Sequence, residues 1–226
     1  MDDDLIALFD MDGTLVDYDG GMIESLQSLQ SDYEPPLTFE RIHNLPPAWE
    51  RRRKLICKVP GWWLSLREFK LGFDVLDWAV EYGFQPDILT KGPLHSPNAW
   101  KEKVEWCQTH VTPYCEDFGM NVVTEKSRVY GRVLVDDFPP YVYNWAKKRP
   151  RGLVVMPAHC YNKIEEIPTK YPVDKDEFEN TKLWESVLRN VIRYDGENQL
   201  QVKKALIISR NREILQNVNY NEGNVS

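Results

Sequence analysis

The sequence predicts an α/β fold: a doubly wound, parallel, five-stranded, Rossmann-like sheet with a small helical cap inserted after the first strand. Three observations carry this. Short apolar runs recur at Leu5–Phe9, Ile88–Thr90, Asn121–Val123, Arg132–Val135 and Gly152–Met156, each the length of a strand and too short for a helix. Between them lie segments with apolar residues at helical spacing, and strands alternating with helices build a parallel sheet. The stretch from 17 to 66 shows only helical periodicity, interrupted by prolines, and reads as an insert. The implied units are a core of 1–16 with 67–194, a cap of 17–66 and a C-terminal extension of 195–226.

The first apolar run leads directly into Asp10-Met11-Asp12-Gly13-Thr14. A strand that ends in a glycine-bearing turn places both carboxylates at the C-terminal edge of the sheet, where open α/β sheets bind ligands. Ile23, Leu26 and Leu29 then recur at helical spacing until Pro35-Pro36. Thr38 to Leu45 reads as a short helix with Thr38 as N-cap. Ala48 to Lys58 reads as another, carrying the basic run Arg51 to Lys54, either a solvated face or a collector of phosphate. Pro60-Gly61 marks a turn before Trp62-Trp63.

Leu71, Val75, Leu76, Ala79 and Val80 share one helical face, with Gly83 just past the end. Ser96-Pro97 is a helix start, continued by Trp100, Lys103, Val104 and Cys107. Pro139-Pro140 opens a helix through Trp145. Thr181 to Arg193 and Gln201 to Leu215 read as helical, and Asn217 to Ser226 as a frayed end.

Composition bounds the function. The 226 residues carry a net charge of -7, with 42% hydrophobic residues, 8 Trp and 11 Tyr. That balance argues against a nucleic-acid polymer or an anionic membrane as partner, and an anionic substrate needs local cations at its site. No apolar run approaches a membrane span. The acidic start Met1-Asp2-Asp3-Asp4 fits neither a signal nor a transit peptide. Cys57, Cys107, Cys115 and Cys160 show no metal spacing and read as reduced thiols of a cytoplasmic protein.

Polar groups end three of the predicted strands: Asp10 and Asp12 the first, Thr90 the second, Asp136-Asp137 the fourth. Lys126 stands ten positions before Asp136. Four carboxylates in one cleft repel each other and any phosphate. A divalent, oxygen-seeking cation resolves this, and Mg²⁺ is the usual partner of carboxylates plus phosphate. Lys126 and the donors near Thr90 then balance phosphoryl charge.

These motifs, in this order, resemble the haloacid dehalogenase-like phosphatases over roughly residues 5 to 160. Asp10-Met11-Asp12-Gly13-Thr14 matches their first motif, Thr90 the second, Lys126 the third and Asp136-Asp137 the fourth. The chain is most similar to the 5′(3′)-deoxyribonucleotidases. It shares an insert ending in Pro-Gly and two aromatics (Pro60-Gly61-Trp62-Trp63), a Thr-x-x-Lys run, the ten-residue step to the Asp pair, and a stretch like His159-Cys160-Tyr161-Asn162. It departs from that family at Lys91, Thr124 and Phe138, where Ser, a basic residue and a charged residue are usual.

The resemblance implies the roles. Asp10 is the nucleophile that forms an aspartyl-phosphate, and Asp12 the general acid and then the base. Mg²⁺ is held by Asp10, the Asp12 carbonyl and the Asp136-Asp137 pair, with Asp137 as the direct ligand. Thr90 and the Met11 backbone N–H hold phosphoryl oxygens, and Lys126 neutralises charge. Lys91 is either a further phosphate ligand or a surface lysine. Trp62 and Trp63 either plug the insert onto the core or wall a nucleobase. His95 and His159 have no catalytic role to fill.

The expected activity is Mg²⁺-dependent hydrolysis of a small phosphomonoester, a nucleoside or deoxynucleoside monophosphate, by a 5′-nucleotidase. The alternative is a sugar-phosphate or other small-metabolite phosphatase. A binding module with a retired site is disfavoured by the intact aspartates and lysine, and a dehalogenase by Asp12. A phosphomutase shares the motifs, and a homodimer is left open.

Overall fold

The computed structural model describes residues 5–38, 42–93 and 96–222, with side chains up to residue 211. The strands are β1 (Ile6–Phe9), β2 (Gln85–Lys91), β3 (Gly119–Val123), β4 (Val133–Val135), β5 (Leu153–Pro157) and β6 (Val191–Tyr194). They form one sheet in the order β3-β2-β1-β4-β5-β6, every pair parallel. The helices are α1 (Tyr18–Gln27), α2 (Pro47–Ile56), α3 (Lys70–Glu81), α4 (Pro97–His110), α5 (Pro139–Lys148), α6 (Ile167–Lys170), α7 (Glu177–Leu188) and α8 (Gln199–Glu222).

Alternation along the strands divides the core. Ala7 and Phe9 of β1 face one side, with Phe73, Leu76 and Ala79 of α3, Trp106 and Cys107 of α4, and Val202 and Leu206 of α8. Leu8 faces the other, with Val142 and Trp145 of α5 and Trp184 of α7. Strands covered by helices on both faces must be apolar throughout, which is why β1 and β4 are unbroken apolar runs. The chain leaves β1 toward β2 on one flank and reaches β4 on the other. The C-terminal ends of β1 and β4 therefore flank a topological switch point. Asp10 follows β1 and Asp136 follows β4.

The expected sheet of five strands is corrected to six. The segment read as helical to Arg193 ends as a helix at Leu188, and Val191–Tyr194 pairs with β5 instead. This edge strand carries Arg193, and its first three residues are only half-buried, so no continuous apolar run marks it. The C-terminal helix runs to Glu222, past the Asn217 at which fraying was expected. The short helix expected from Thr38 falls partly on 39–41, and His95 also lies outside the described residues.

Between β1 and α3, the apolar faces of α1 and α2 join the core cluster. Met22, Ile23, Leu26, Trp49, Ile56, Trp62, Trp63 and Leu66 are all buried in it. Two backbone ties hold this segment at its root, Asp17 N–H to Arg67 O at 2.9 Å and Phe69 N–H to Leu15 O at 2.7 Å.

Candidate active site

The turn after β1 is built for close approach. Met11 O accepts the N–H groups of Thr14, Leu15 and Val16 at 2.8–3.0 Å. Gly13 has φ +80°, and a Cβ there would lie 2.6 Å from Asp137 Oδ2. No other residue fits that position, because both the left-handed backbone and the space exclude a side chain. The Met11 side chain is buried against the Cys107 thiol, so only its backbone is left to meet a substrate.

Asp10, Asp136 and Asp137 are all buried, and each offers a carboxylate oxygen within 4.8 Å of the others. Among the described residues, one cation touches the group. Lys126 Nζ lies 2.7 Å from Asp10 Oδ1 and 2.7 Å from Asp136 Oδ2. Burial opposes the Lys126 charge, but Asp10 and Asp136 outweigh it and hold the ammonium above its usual range. Asp136 also accepts the Phe138 N–H at 3.0 Å. Among the described residues, Asp137 accepts from neutral groups only, Thr14 Oγ1 at 3.0 Å and the Tyr161 hydroxyl. Burial, and then repulsion within the cluster, pushes the Asp136 and Asp137 carboxyls above the usual range. Three carboxylates against one ammonium leave an excess of negative charge in a low-dielectric site.

Asp12 is not part of this close-set group. Its Oδ2 lies 2.6 Å from Lys103 Nζ, while its enclosed Oδ1 has no hydrogen-bond partner. Burial raises its carboxyl and Lys103 works against that rise. Lys103 is fully buried on α4 and also donates to Thr90 Oγ1 at 3.0 Å and to Lys91 O at 3.4 Å. Spacing alone puts Lys103 on this helix and offers it only as a stand-in for Lys126, not as the partner of Asp12 and Thr90. One signal was present: Ala99, Lys103, Trp106 and Cys107 share a face by spacing, and a lysine among such neighbours points inward.

A cavity of about 720 Å³ opens over the cluster, within the range of small-molecule sites. Asp10, Asp12, Lys126 and Asp137 form its floor, with Lys91, Thr124, Phe138 and Tyr141 on one side. Tyr18, His43, Arg53, Cys57 and Trp63 come from the segment between β1 and α3. Of the predicted site residues, the structure thus brings Asp10, Asp12, Lys126, Asp137, Lys91 and Trp63 to one cavity. Thr90 and Asp136 lie just beneath, bonded to Lys103 and Lys126.

Trp62 is not among the lining residues. Its indole N–H donates to Ser25 Oγ at 3.0 Å and its ring meets Tyr18 edge-on. Of the basic run, Arg53 reaches the cavity, clamped by Glu50 through two 2.7 Å bonds. His159 bonds Gly13 O at 2.6 Å behind the wall.

A family model described as "5' nucleotidase, deoxy (Pyrimidine), cytosolic type C protein" matches residues 4–167. No curated protein matches the chain. Among solved structures, a candidate β-phosphoglucomutase from Thermotoga maritima is similar at 16% identity, covering 88% of this chain and 98% of its own, with a TM-score of 0.49. A haloacid dehalogenase family hydrolase from Deinococcus radiodurans R1, with bound phosphate and sodium, is 11% identical over 82% of this chain and 97% of its own, with a TM-score of 0.48. The model covers well over half of the chain and takes in Asp10, Thr90, Lys126 and the Asp136-Asp137 pair, so the chain belongs to this nucleotidase family of haloacid dehalogenase-like phosphatases.

Proposed function

We propose that this phosphatase is a Mg²⁺-dependent 5′-nucleotidase that hydrolyses nucleoside monophosphates through an aspartyl-phosphate on Asp10. The observation that carries the reading is the buried group Asp10, Asp136 and Asp137, touched among the described residues by one cation, Lys126. An all-oxygen, carboxylate-rich set suits a hard divalent cation. Asp136 is compensated by Lys126, whereas Asp137 has only hydroxyl partners, so Asp137 is the carboxylate left to hold a cation together with Asp10 and the Asp12 carbonyl. When bound, Mg²⁺ supplies charge neutralisation for the phosphoryl group and the nucleophile.

The chain's own residues do the rest. An Asp10 carboxylate oxygen forms a bond to phosphorus while the bond from phosphorus to the leaving oxygen breaks. Protonated Asp12 gives its proton to that oxygen, releasing the nucleoside. Asp12 then takes a proton from water, whose oxygen attacks phosphorus and breaks the bond to Asp10, releasing phosphate. Lys126 and Thr90 stand where phosphoryl charge must be balanced.

The residues from 17 to 66 act as a cap in this reading, because Tyr18, His43, Arg53, Cys57 and Trp63 wall the cavity opposite the strand ends. Rings of Tyr18, Trp63, Phe138, Tyr141 and Tyr161 among the lining residues suit a nucleoside better than a sugar. The family's description as cytosolic supports a cytoplasmic location.

The test is phosphate release from a panel of nucleoside monophosphates and sugar phosphates, with Mg²⁺ or with chelator. Nucleotides should turn over fastest, chelator should abolish turnover, and Asp10→Asn should fall to background. Faster turnover of sugar phosphates would transfer the assignment to a metabolite phosphatase. Asp10→Asn activity within tenfold of the parent would overturn the covalent route, since loss of a nucleophile costs far more than that.

A further inference from the structure

Glu102 on α4 is buried, at 5% exposure, and pairs with no cation among the described residues. Its two oxygens are spent on the backbone of a distant turn. Oε1 accepts the Gly61 N–H at 2.9 Å and Oε2 accepts the Trp63 N–H at 3.2 Å. Burying a carboxylate without a counter-charge is costly, and two N–H donors are what offset it here. The turn they belong to is irregular, with Gly61 at φ +84° and the Trp63 indole N–H on Cys57 O at 3.0 Å. Trp63 reaches the cavity wall from this turn.

The next residue on the helix, Lys103, carries the Asp12 and Thr90 contacts. Its Nζ also lies 4.7 Å from the centre of the Trp63 ring. Two consecutive residues of one helix therefore grip, respectively, the turn that presents Trp63 and Asp12, the carboxylate to which the proposed function gives the leaving-group proton. We propose that Glu102 is a positioning residue for the leaving group, holding the Gly61–Trp63 turn so that Trp63 walls the nucleoside half of the site. This rests on the reading of Trp63 as that wall. A carboxylate suits the task because it accepts both N–H groups with charge-assisted bonds, whereas an amide turns an NH₂ toward one of them.

The test compares nucleoside monophosphate with glycerol phosphate, which has no ring, for Glu102→Gln, Gly61→Ala and Trp63→Ala. Gly61→Ala strains the same turn from its own side without touching α4, since open space surrounds its Cβ and only the backbone conformation resists. Glu102→Gln should raise the nucleotide KM about tenfold, the scale of one lost bond to a charged group, and lower the nucleotide-to-glycerol-phosphate ratio of kcat/KM to match. Gly61→Ala should reproduce that pattern, which keeps the test open if Glu102→Gln does not fold. Equal losses on both substrates, or an unchanged ratio in Glu102→Gln and Gly61→Ala while Trp63→Ala lowers it, would overturn the positioning role. An unchanged ratio in Trp63→Ala would overturn the wall reading, and the positioning role with it.

Discussion

Lys103 Nζ lies 2.6 Å from Asp12 Oδ2, with the two residues 91 positions apart in the chain. All three of its protons have acceptors, the others being Thr90 Oγ1 and Lys91 O. The pair sets two opposing influences on Asp12, because burial favours the protonated acid and the ammonium favours the carboxylate. A group that must give a proton and then take one needs such a balance.

Lys103→Met keeps much of the volume and removes the charge. Asp12 should then hold its proton to higher pH, and the acid limb of the kcat profile should move upward. Turnover at neutral pH should fall about 10²-fold, the low end of what general acid–base catalysis contributes. A kcat profile measured from pH 5 to 9 checks this. An unmoved profile with turnover within threefold of the parent would leave Lys103 as a packing residue.

Metal binding has a signature apart from activity. Burial and mutual repulsion raise the Asp136 and Asp137 carboxyls above their unfolded values. A raised folded pKa means the folded state holds protons that the unfolded state releases. That stability is full below the unfolded carboxylate range, about 3.9, and is lost as pH rises through the raised values. His159, lowered by burial, acts in the opposite sense, but it does so with or without metal. The metal competes with the protons, so its stabilisation grows with pH. Thermal unfolding with Mg²⁺ and with chelator should therefore show a Tm difference that widens from pH 5 to 8. At a hundredfold excess over Kd the linkage is about 2.7 kcal/mol, or roughly 5–10 °C for a chain of this size. A difference that stays flat across this range would show that the acidic cluster does not take the ion.

What could be read from the sequence was what local pattern determines. Leu5–Phe9 running into an acidic turn placed Asp10 and Asp12 at a strand end, and the apolar run before Asp136 did the same for β4. β6 escaped because an edge strand with Arg193 in it has no periodicity of its own. The contacts of Lys103 escaped because Asp12 lies in the turn after β1 and Thr90 on β2, and helical spacing alone does not say what an inward lysine meets. Trp62 and Trp63 were inseparable as neighbours in sequence. The fold parts them, sending one indole N–H to Ser25 and the other ring to the cavity.

The last prediction concerns Lys91, the strand-end residue whose charge is least committed. Lys126 is held by Asp10 and Asp136, Lys103 by Asp12, and Arg53 by Glu50. Among the described residues Lys91 has no carboxylate partner. Its Nζ donates to the Tyr141 hydroxyl at 3.1 Å and sits 5.1 Å from the centre of that ring, whose face Lys126 Nζ also approaches, at 4.8 Å. An exposed cation on the rim attracts a dianionic substrate before chemistry begins, and salt screens that attraction over about 8 Å at physiological ionic strength. Lys91→Ala should therefore raise KM several-fold at low salt, leave kcat nearly unchanged, and lose most of its effect at high salt, an exposed pair being worth about 1 kcal/mol at most. Lys91→Arg should restore KM, since position of charge matters here more than its shape. A 10²-fold loss in kcat would instead put Lys91 on the phosphoryl group in the transition state, and no change at either salt concentration would leave it a surface lysine.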